Sequence, residues 1–410
     1  MGNRSNSPPL AILGGTPCFS DPIHVGRPNL GNWDSFQARL RGIWERNWLT
    51  NDGPVVREFE RTLADYLGVA HCVAVCNATV GLEITIQSLG LTGEVIVPSF
   101  TFIASAHSIR RLGLRPIFCD CDPATHQIDP ASAARVITSR TSGILGVHLW
   151  GQACPVPELE ELARSRGLSL MFDAAHAFGS SAYGQRIGGF GQAEVFSFHG
   201  TKFMNSFEGG AITTHDPALA ERLRLFRNFG FSGYDNVVHL GTNAKMSEVS
   251  AAMGLTSFES IDQFMARNRE NQTRYRESLG SIPGIQFLAC PDLQQINAQY
   301  VVAEIDQTQL GLSRDELQAV LQAENVLVRR YFHPGCHRMA AYLAEPESTP
   351  ITLPHTEAVS ERVMLFPNGM AVDGEIIDQI DGIIRTASQN SECIRQKLIS
   401  PSNTFQASSP

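Results

Sequence analysis

The run VFSFHGTKFMNSFEGGA, residues 195–211, holds one lysine, Lys202, among phenylalanines, glycines and small polar residues. Of the chain's 32 basic residues 29 are arginine, and only Lys202, Lys245 and Lys397 are lysine. Wherever a positive charge suffices this chain uses arginine, which stays protonated, whereas a lysine ammonium in apolar surroundings can lose its proton and become a nucleophile. Lys202 is therefore a candidate catalytic amine. Burial among Phe196, Phe198, Phe203 and Phe207 would favour its neutral form.

One chemistry open to such an amine is a Schiff base with pyridoxal 5'-phosphate (PLP). It needs a carboxylate for the pyridine nitrogen, donors for the phosphate and a flat side chain against the ring. Asp173 follows the apolar run LSLMF, where a carboxylate is costly without a partner, and a protonated pyridine nitrogen is one; a helix cap is the plainer alternative. His176, three residues on, is placed for the ring or its phenolic oxygen, or is a hydrogen-bonded structural histidine. The turn CNATVG between a strand and a helix offers Asn77, Ala78 and Thr79 as phosphate donors, although Asn and Thr are also ordinary helix caps. Ser197 is a second hydroxyl, or only a strand serine. Phe102 is a candidate for the ring face, or a core residue.

These residues need a scaffold that brings them together. HCVAVCNA, GEVIVPSFTF, RPIFCDCD, GILGVHLW, LSLMFDAAHAF, AEVFSFHG and GGAITTH read as strands apolar on both faces, which describes a mostly parallel sheet covered by helices. The segments ATVGLEITIQSLG, PASAARVITS and VPELEELARSRG have helical spacing. In such α/β sheets ligands gather at the carboxyl ends of strands, where every candidate above lies. A helical stretch from about Met246 to Leu279 then leads to a smaller α+β unit in which QYVVAEI and NVLVRRYF read as strands around SRDELQAVLQAE. The expected organisation is an N-terminal arm over 1–30, a large domain over 31–255, a small domain over 256–395 and a tail over 396–410. The first nine residues and the tail from about 398 have the composition of mobile ends.

The net charge of -9 and pI near 5.7 disfavour a nucleic-acid surface and leave a small-molecule ligand as the expectation. No apolar run approaches the roughly 20 residues of a membrane span, and the N-terminal apolar segment is too short for a signal peptide, so a cytoplasmic protein is expected. The odd count of nine cysteines suits reduced thiols. His333, Cys336 and His337 in YFHPGCHRM could ligate a metal, but the loop reading is favoured and no metal is expected.

Taken in order, VIVPSFTFIASAH, VHLWGQ, FDAAHAFGS, FSFHGTKFMNSFEGGAITT and GTNAKMSEVSAAMGL resemble the DegT/StrS family of PLP-dependent nucleotide-sugar aminotransferases. The likeness runs from REFERTLADYLGV to YFHPGCHRMAAY. It implies the aspartate aminotransferase (type I) fold, with a mostly parallel sheet and a smaller α+β C-terminal domain. It implies that Lys202 carries the Schiff base, Asp173 binds the pyridine nitrogen, His176 lies near the ring, Phe102 stacks on it, and Thr79 and Ser197 bind phosphate. Asn243 would reach the phosphate across the interface of a homodimer. Where many members read SGT this chain has Asn77, Ala78 and Thr79, and Lys245 stands where many have Arg, which leaves its role open. The motifs look most like the branch that aminates TDP-4-keto-6-deoxyglucose at C4, with L-glutamate as donor. Cationic residues for the sugar's diphosphate would come from Arg27, Lys245, Arg329 and Arg330, each also readable as surface charge, and His333 would touch the sugar. A PLP-dependent dehydratase and a non-catalytic PLP-binding regulator are the rivals. Members that dehydrate can lack the lysine, so Lys202 favours transamination.

Overall fold

The protein was described from a computed structural model covering residues 9–290, 292–344 and 351–399. The expectations for residues 1–8 and 400–410 lie outside the described residues. All seven expected strands form one sheet. In spatial order they are His71–Val75, Gly210–Thr214, Ala193–Ser197, Ser169–Asp173, Thr141–Val147, Glu94–Pro98 and Arg115–Cys119. Only Gly210–Thr214 runs antiparallel to its neighbours. It follows Ala193–Ser197 after the short segment 198–209, and adjacent strands so joined must be antiparallel. That connection is the loop that bears Lys202. The other strands run parallel, most through helical crossovers and Ser169–Asp173 to Ala193–Ser197 through a small hairpin, and their side chains are largely buried on both faces.

Helix Ala78–Ser88 begins where His71–Val75 ends. Asn77 caps it, its side-chain oxygen accepting from Val80 N at 2.9 Å. Glycine at 210 is required by closeness: a Cβ there would stand 2.8 Å from Phe196 O and 2.9 Å from Ala78 N. The pair at 209 and 210 thus lets the antiparallel strand lie directly against this helix N-terminus.

The long helical stretch expected from Met246 is two helices, Glu248–Phe258 and Ile261–Leu279. Ser260 N–H turns back to Ser257 O at 3.1 Å, tightening the last turn, and Phe264 N–H then donates to Ser260 O at 3.0 Å as the start of the next helix. The second helix joins two cores. Ile261, Phe264 and Met265 pack with the sheet-covering residues, whereas Tyr275 and Leu279 pack beneath a three-stranded antiparallel sheet of Ile285–Phe287, Val301–Ile305 and Val363–Phe366. Leu10, Ile12 and Phe19 belong to this second core. NVLVRRYF is a strand only at Val326–Leu327, which pairs with Ile23–His24. Beyond it the chain leaves the ladder toward the cavity described below. Helix Ser391–Ile399 buries Ile394 in the second core, so regular structure continues past the expected start of the tail.

Candidate active site

A cavity of about 760 Å³ opens at the carboxyl ends of the sheet strands. Lys202, Asp173, His176, Ala78, Thr79, Phe102 and Ser197 all contribute to its wall. Residues up to 124 positions apart in sequence meet because each lies at or soon after the end of a strand.

Asp173 closes the strand Ser169–Asp173 and is buried. Its Oδ2 accepts Ser105 Oγ–H at 2.7 Å and its Oδ1 accepts Ala175 N–H at 3.0 Å. Burial pushes the carboxyl pKa up, and the Ser105 and Ala175 hydrogen bonds and the Lys202 charge pull against it. His176 is buried, with its ring against Tyr300 at 4.3 Å and stacked on Trp150 at 5.7 Å. Burial, then the Lys202 charge, holds it well below the usual imidazole range, so it is neutral, and its Nδ1 has no hydrogen-bond partner among the described residues.

Lys202 lies in a tight turn whose N–H bonds His199 O at 2.8 Å, and its Nζ donates to Tyr300 Oη at 3.1 Å. The N-terminal arm braces this loop, with Asn29 Nδ2 on Phe203 O at 3.0 Å and Asn205 Nδ2 on Asn29 O at 2.8 Å. Burial pushes the Lys202 amine down to about 8, against the opposing charges of Asp173 and Tyr331. Phe196, Phe198 and Phe203 are buried beside it as expected, but Phe207 is exposed, its ring edge-on to Phe36. In its place, Tyr300 and Tyr331 line the cavity with the amine.

The wall fits PLP in the chemistry of its donors. A depressed amine faces a buried carboxylate, and two hydroxyls, Thr79 and Ser197, flank a helix N-terminus whose first N–H groups have no helical acceptor. Phe102 is 52% exposed, an apolar ring uncovered at the mouth. Asn77 turns its side-chain oxygen to its own helix, the capping alternative.

Five residues expected at the sugar are not in this wall. Arg27 is exposed on the outer side of the Lys202 loop. Arg329 is exposed while its backbone bridges Leu365, and Arg330 pairs with Asp315 at 3.2 Å. His333 pairs with Glu361 at 3.4 Å. Lys245 covers the Phe229 ring at 4.5 Å, beside Arg227 in a separate small cavity. The shared reason is that 328–333 and 243–245 turn these side chains outward while their backbones join strand edges. Asn243 is likewise exposed and outside the wall. Cys336 Sγ donates to Thr101 O at 3.3 Å and His337 Nδ1 faces Ser99 Oγ at 2.6 Å, so the loop bearing Tyr331 is tied to the segment that presents Phe102.

Tyr300, Tyr331 and Ser105 were not legible as site residues. The two tyrosines belong to a separate apolar cluster, with Phe100 and Trp150 from the large-sheet side and Val302 and Leu365 from the three-stranded sheet, and no local pattern states that these segments meet.

Residues 33–385 match the sequence model of the DegT/DnrJ/EryC1/StrS aminotransferase family. The chain belongs to that family. It is 35% identical over 364 residues to the dTDP-4-amino-4,6-dideoxy-D-glucose transaminase of Shigella dysenteriae, covering 89% of this chain and 98% of that protein. It is 34% identical over 302 residues to the GDP-perosamine synthase of Caulobacter vibrioides, covering 73% and 81%. The crystal structure of DesI in the presence of its TDP-sugar product superposes with a TM-score of 0.90 at 44% identity, covering 95% of this chain and 99% of that one. The chain is thus a PLP-dependent sugar aminotransferase with the type I fold. No described helix is long and apolar enough to cross a membrane.

Proposed function

We propose that the enzyme transfers the amino group of L-glutamate to C4 of a 4-keto-6-deoxy sugar nucleotide, TDP-4-keto-6-deoxyglucose first among the candidates. The observation that carries this reading is the Lys202 amine, pushed down to about 8 and facing Asp173 within one cavity. The names of its relatives support the sugar: one acts on a dTDP-linked 4-amino-4,6-dideoxyglucose, and DesI was crystallised with a TDP-sugar product.

PLP supplies an electron sink that holds the amino group between the two half-reactions. In this reading Asp173, oriented by the Ser105 and Ala175 hydrogen bonds, would hold a proton on the pyridine nitrogen. Thr79, Ser197 and the N–H groups of Ala78 and Thr79 receive the phosphate, and Phe102 covers one ring face while neutral His176 lies near the ring. Lys202 Nζ, once free, takes the proton from the Cα of the amino donor; with its pKa lowered to about 8, about half of it is neutral near pH 8 and can act as that base. The working unit is proposed to be a homodimer of a cytoplasmic enzyme. Asn243 and Lys245, turned outward on one segment, then serve the neighbouring protomer's site.

The test is the visible spectrum of the protein with PLP, before and after L-glutamate. Bleaching by glutamate, followed by recovery with TDP-4-keto-6-deoxyglucose, is the expected result. Recovery only with a GDP-linked or 3-keto sugar would replace the substrate assignment. A spectrum indifferent to every amino donor would replace transamination by a lyase or a regulator.

A further inference from the structure

We propose that Tyr300 is a catalytic residue of this enzyme: its hydroxyl is the station that holds Lys202 Nζ when the amine is free. The inference rests on the transaminase reading and adds to it a group carried by the three-stranded sheet's segment 300–305.

Tyr300 stands immediately before the strand Val301–Ile305 of the three-stranded sheet, packs in the cluster that includes Phe100, Trp150 and Phe332, and lines the cavity. Its ring is fixed on two sides, by His176 at 4.3 Å and Trp150 at 5.6 Å, and its backbone carbonyl accepts Gln272 Nε2–H at 2.9 Å. The hydroxyl of a tyrosine held this way has little freedom, and the partner it meets is Lys202 Nζ at 3.1 Å. A flexible four-carbon side chain released from a covalent bond would otherwise sample many positions, and proton transfer at one carbon demands one of them.

A phenol suits this post in both protonation states of the amine. It donates O–H to the neutral nitrogen and accepts N–H from the ammonium, changing role by rotating one bond. Burial raises the Tyr300 phenol well above its ordinary pKa, so it keeps its own proton while the lysine gains and loses one. No proton is created or lost: the one taken up at Nζ is the one Nζ later releases.

The test compares wild type with Tyr300→Phe, which leaves the ring packing in place. The first readout is the cofactor-free protein labelled with lysine carrying 13C at Cε. With three lysines in the chain, three resonances are expected, and the one absent from Lys202→Met identifies Lys202. Loss of the acceptor should move the Lys202 titration midpoint below the wild-type value, with proton binding weaker by about threefold or more. The second readout is the single-turnover rate of bleaching by L-glutamate, expected to fall by about 10- to 100-fold with the PLP dissociation constant within about threefold. An unmoved Lys202 midpoint overturns the proposal, as does a bleaching rate within threefold of wild type. If wild type itself ignores every amino donor, the transaminase reading fails, while the resonance titration still decides whether Tyr300 holds the amine.

Discussion

Replacing Lys202 by methionine should make the cofactor-free protein more stable at neutral pH. The fold holds this amine at about 8 against an ordinary value of 10.5. Because the folded pKa is depressed, the folded protein binds fewer protons than the unfolded chain between these two values, and wild-type stability rises with pH across that window. Below pH 8 the full penalty of burying an ammonium is present. At about 1.4 kcal/mol per unit the shift corresponds to at most ~3 kcal/mol, and solvent at the cavity mouth lowers this to about 1–2 kcal/mol. Methionine of similar length has no charge to desolvate. Urea unfolding of both cofactor-free proteins at pH 7 and pH 10 gives the comparison. The variant should exceed wild type at pH 7, and the gap should shrink toward pH 10. A variant less stable than wild type at pH 7, or a gap independent of pH, would refute the view that the fold imposes a penalty on Lys202.

Ser105→Ala removes the hydroxyl from Asp173 Oδ2, a charge-assisted bond, and should raise that carboxyl further. Protonation then begins at higher pH, so PLP affinity measured from pH 5.5 to 8 should fall away sooner on the acid side; a profile parallel to wild type counts against the Ser105 role. Gly210→Ala drives a methyl into Phe196 O and Ala78 N and should cost about 1–3 kcal/mol in thermal unfolding, with weaker PLP binding because the phosphate-facing helix end must shift. Unchanged PLP affinity would mean that the helix end is not the cradle. Glu248→Ala strips the buried carboxylate that accepts Val55 N–H at 3.0 Å and Val56 N–H at 2.8 Å, and should cost about 2–4 kcal/mol in chemical denaturation. A loss under 1 kcal/mol would show that water replaces the cap.

The sheet was legible because its strands are apolar on both faces and its crossover helices are regular, so periodicity and burial agree. The cofactor-facing residues were legible for a related reason: in a parallel sheet the end of each strand faces the site, and sequence marks where strands end. Lys202, Asp173, Thr79 and Ser197 are all placed by that rule. Arg329, Arg330 and His333 lie outside the cavity wall, and nothing local says that the ladder stops at Leu327 and that Arg330 and His333 then turn to Asp315 and Glu361. The cap on helix Pro54–Leu67 was equally hidden, since its N-cap is Gly53, without a side chain, and the acceptor is Glu248, about 190 residues away.

The division between legible and hidden residues follows a division of labour. Groups that would hold PLP come from one sheet, whose strand ends share a plane and cannot be rearranged without register shifts. Tyr300, which meets the amine, and Tyr331, beside it in the cavity wall, lie instead in the cluster between the large sheet and the three-stranded sheet, on segments that begin or leave that second sheet. Lys202 sits where the two meet, on a loop between antiparallel strands that the N-terminal arm clamps through Asn29. A depressed amine is an unfavourable arrangement that relaxes if any of these supports yields. Its persistence therefore depends on packing from both cores at once, and separating them would return Lys202 toward an ordinary, protonated lysine.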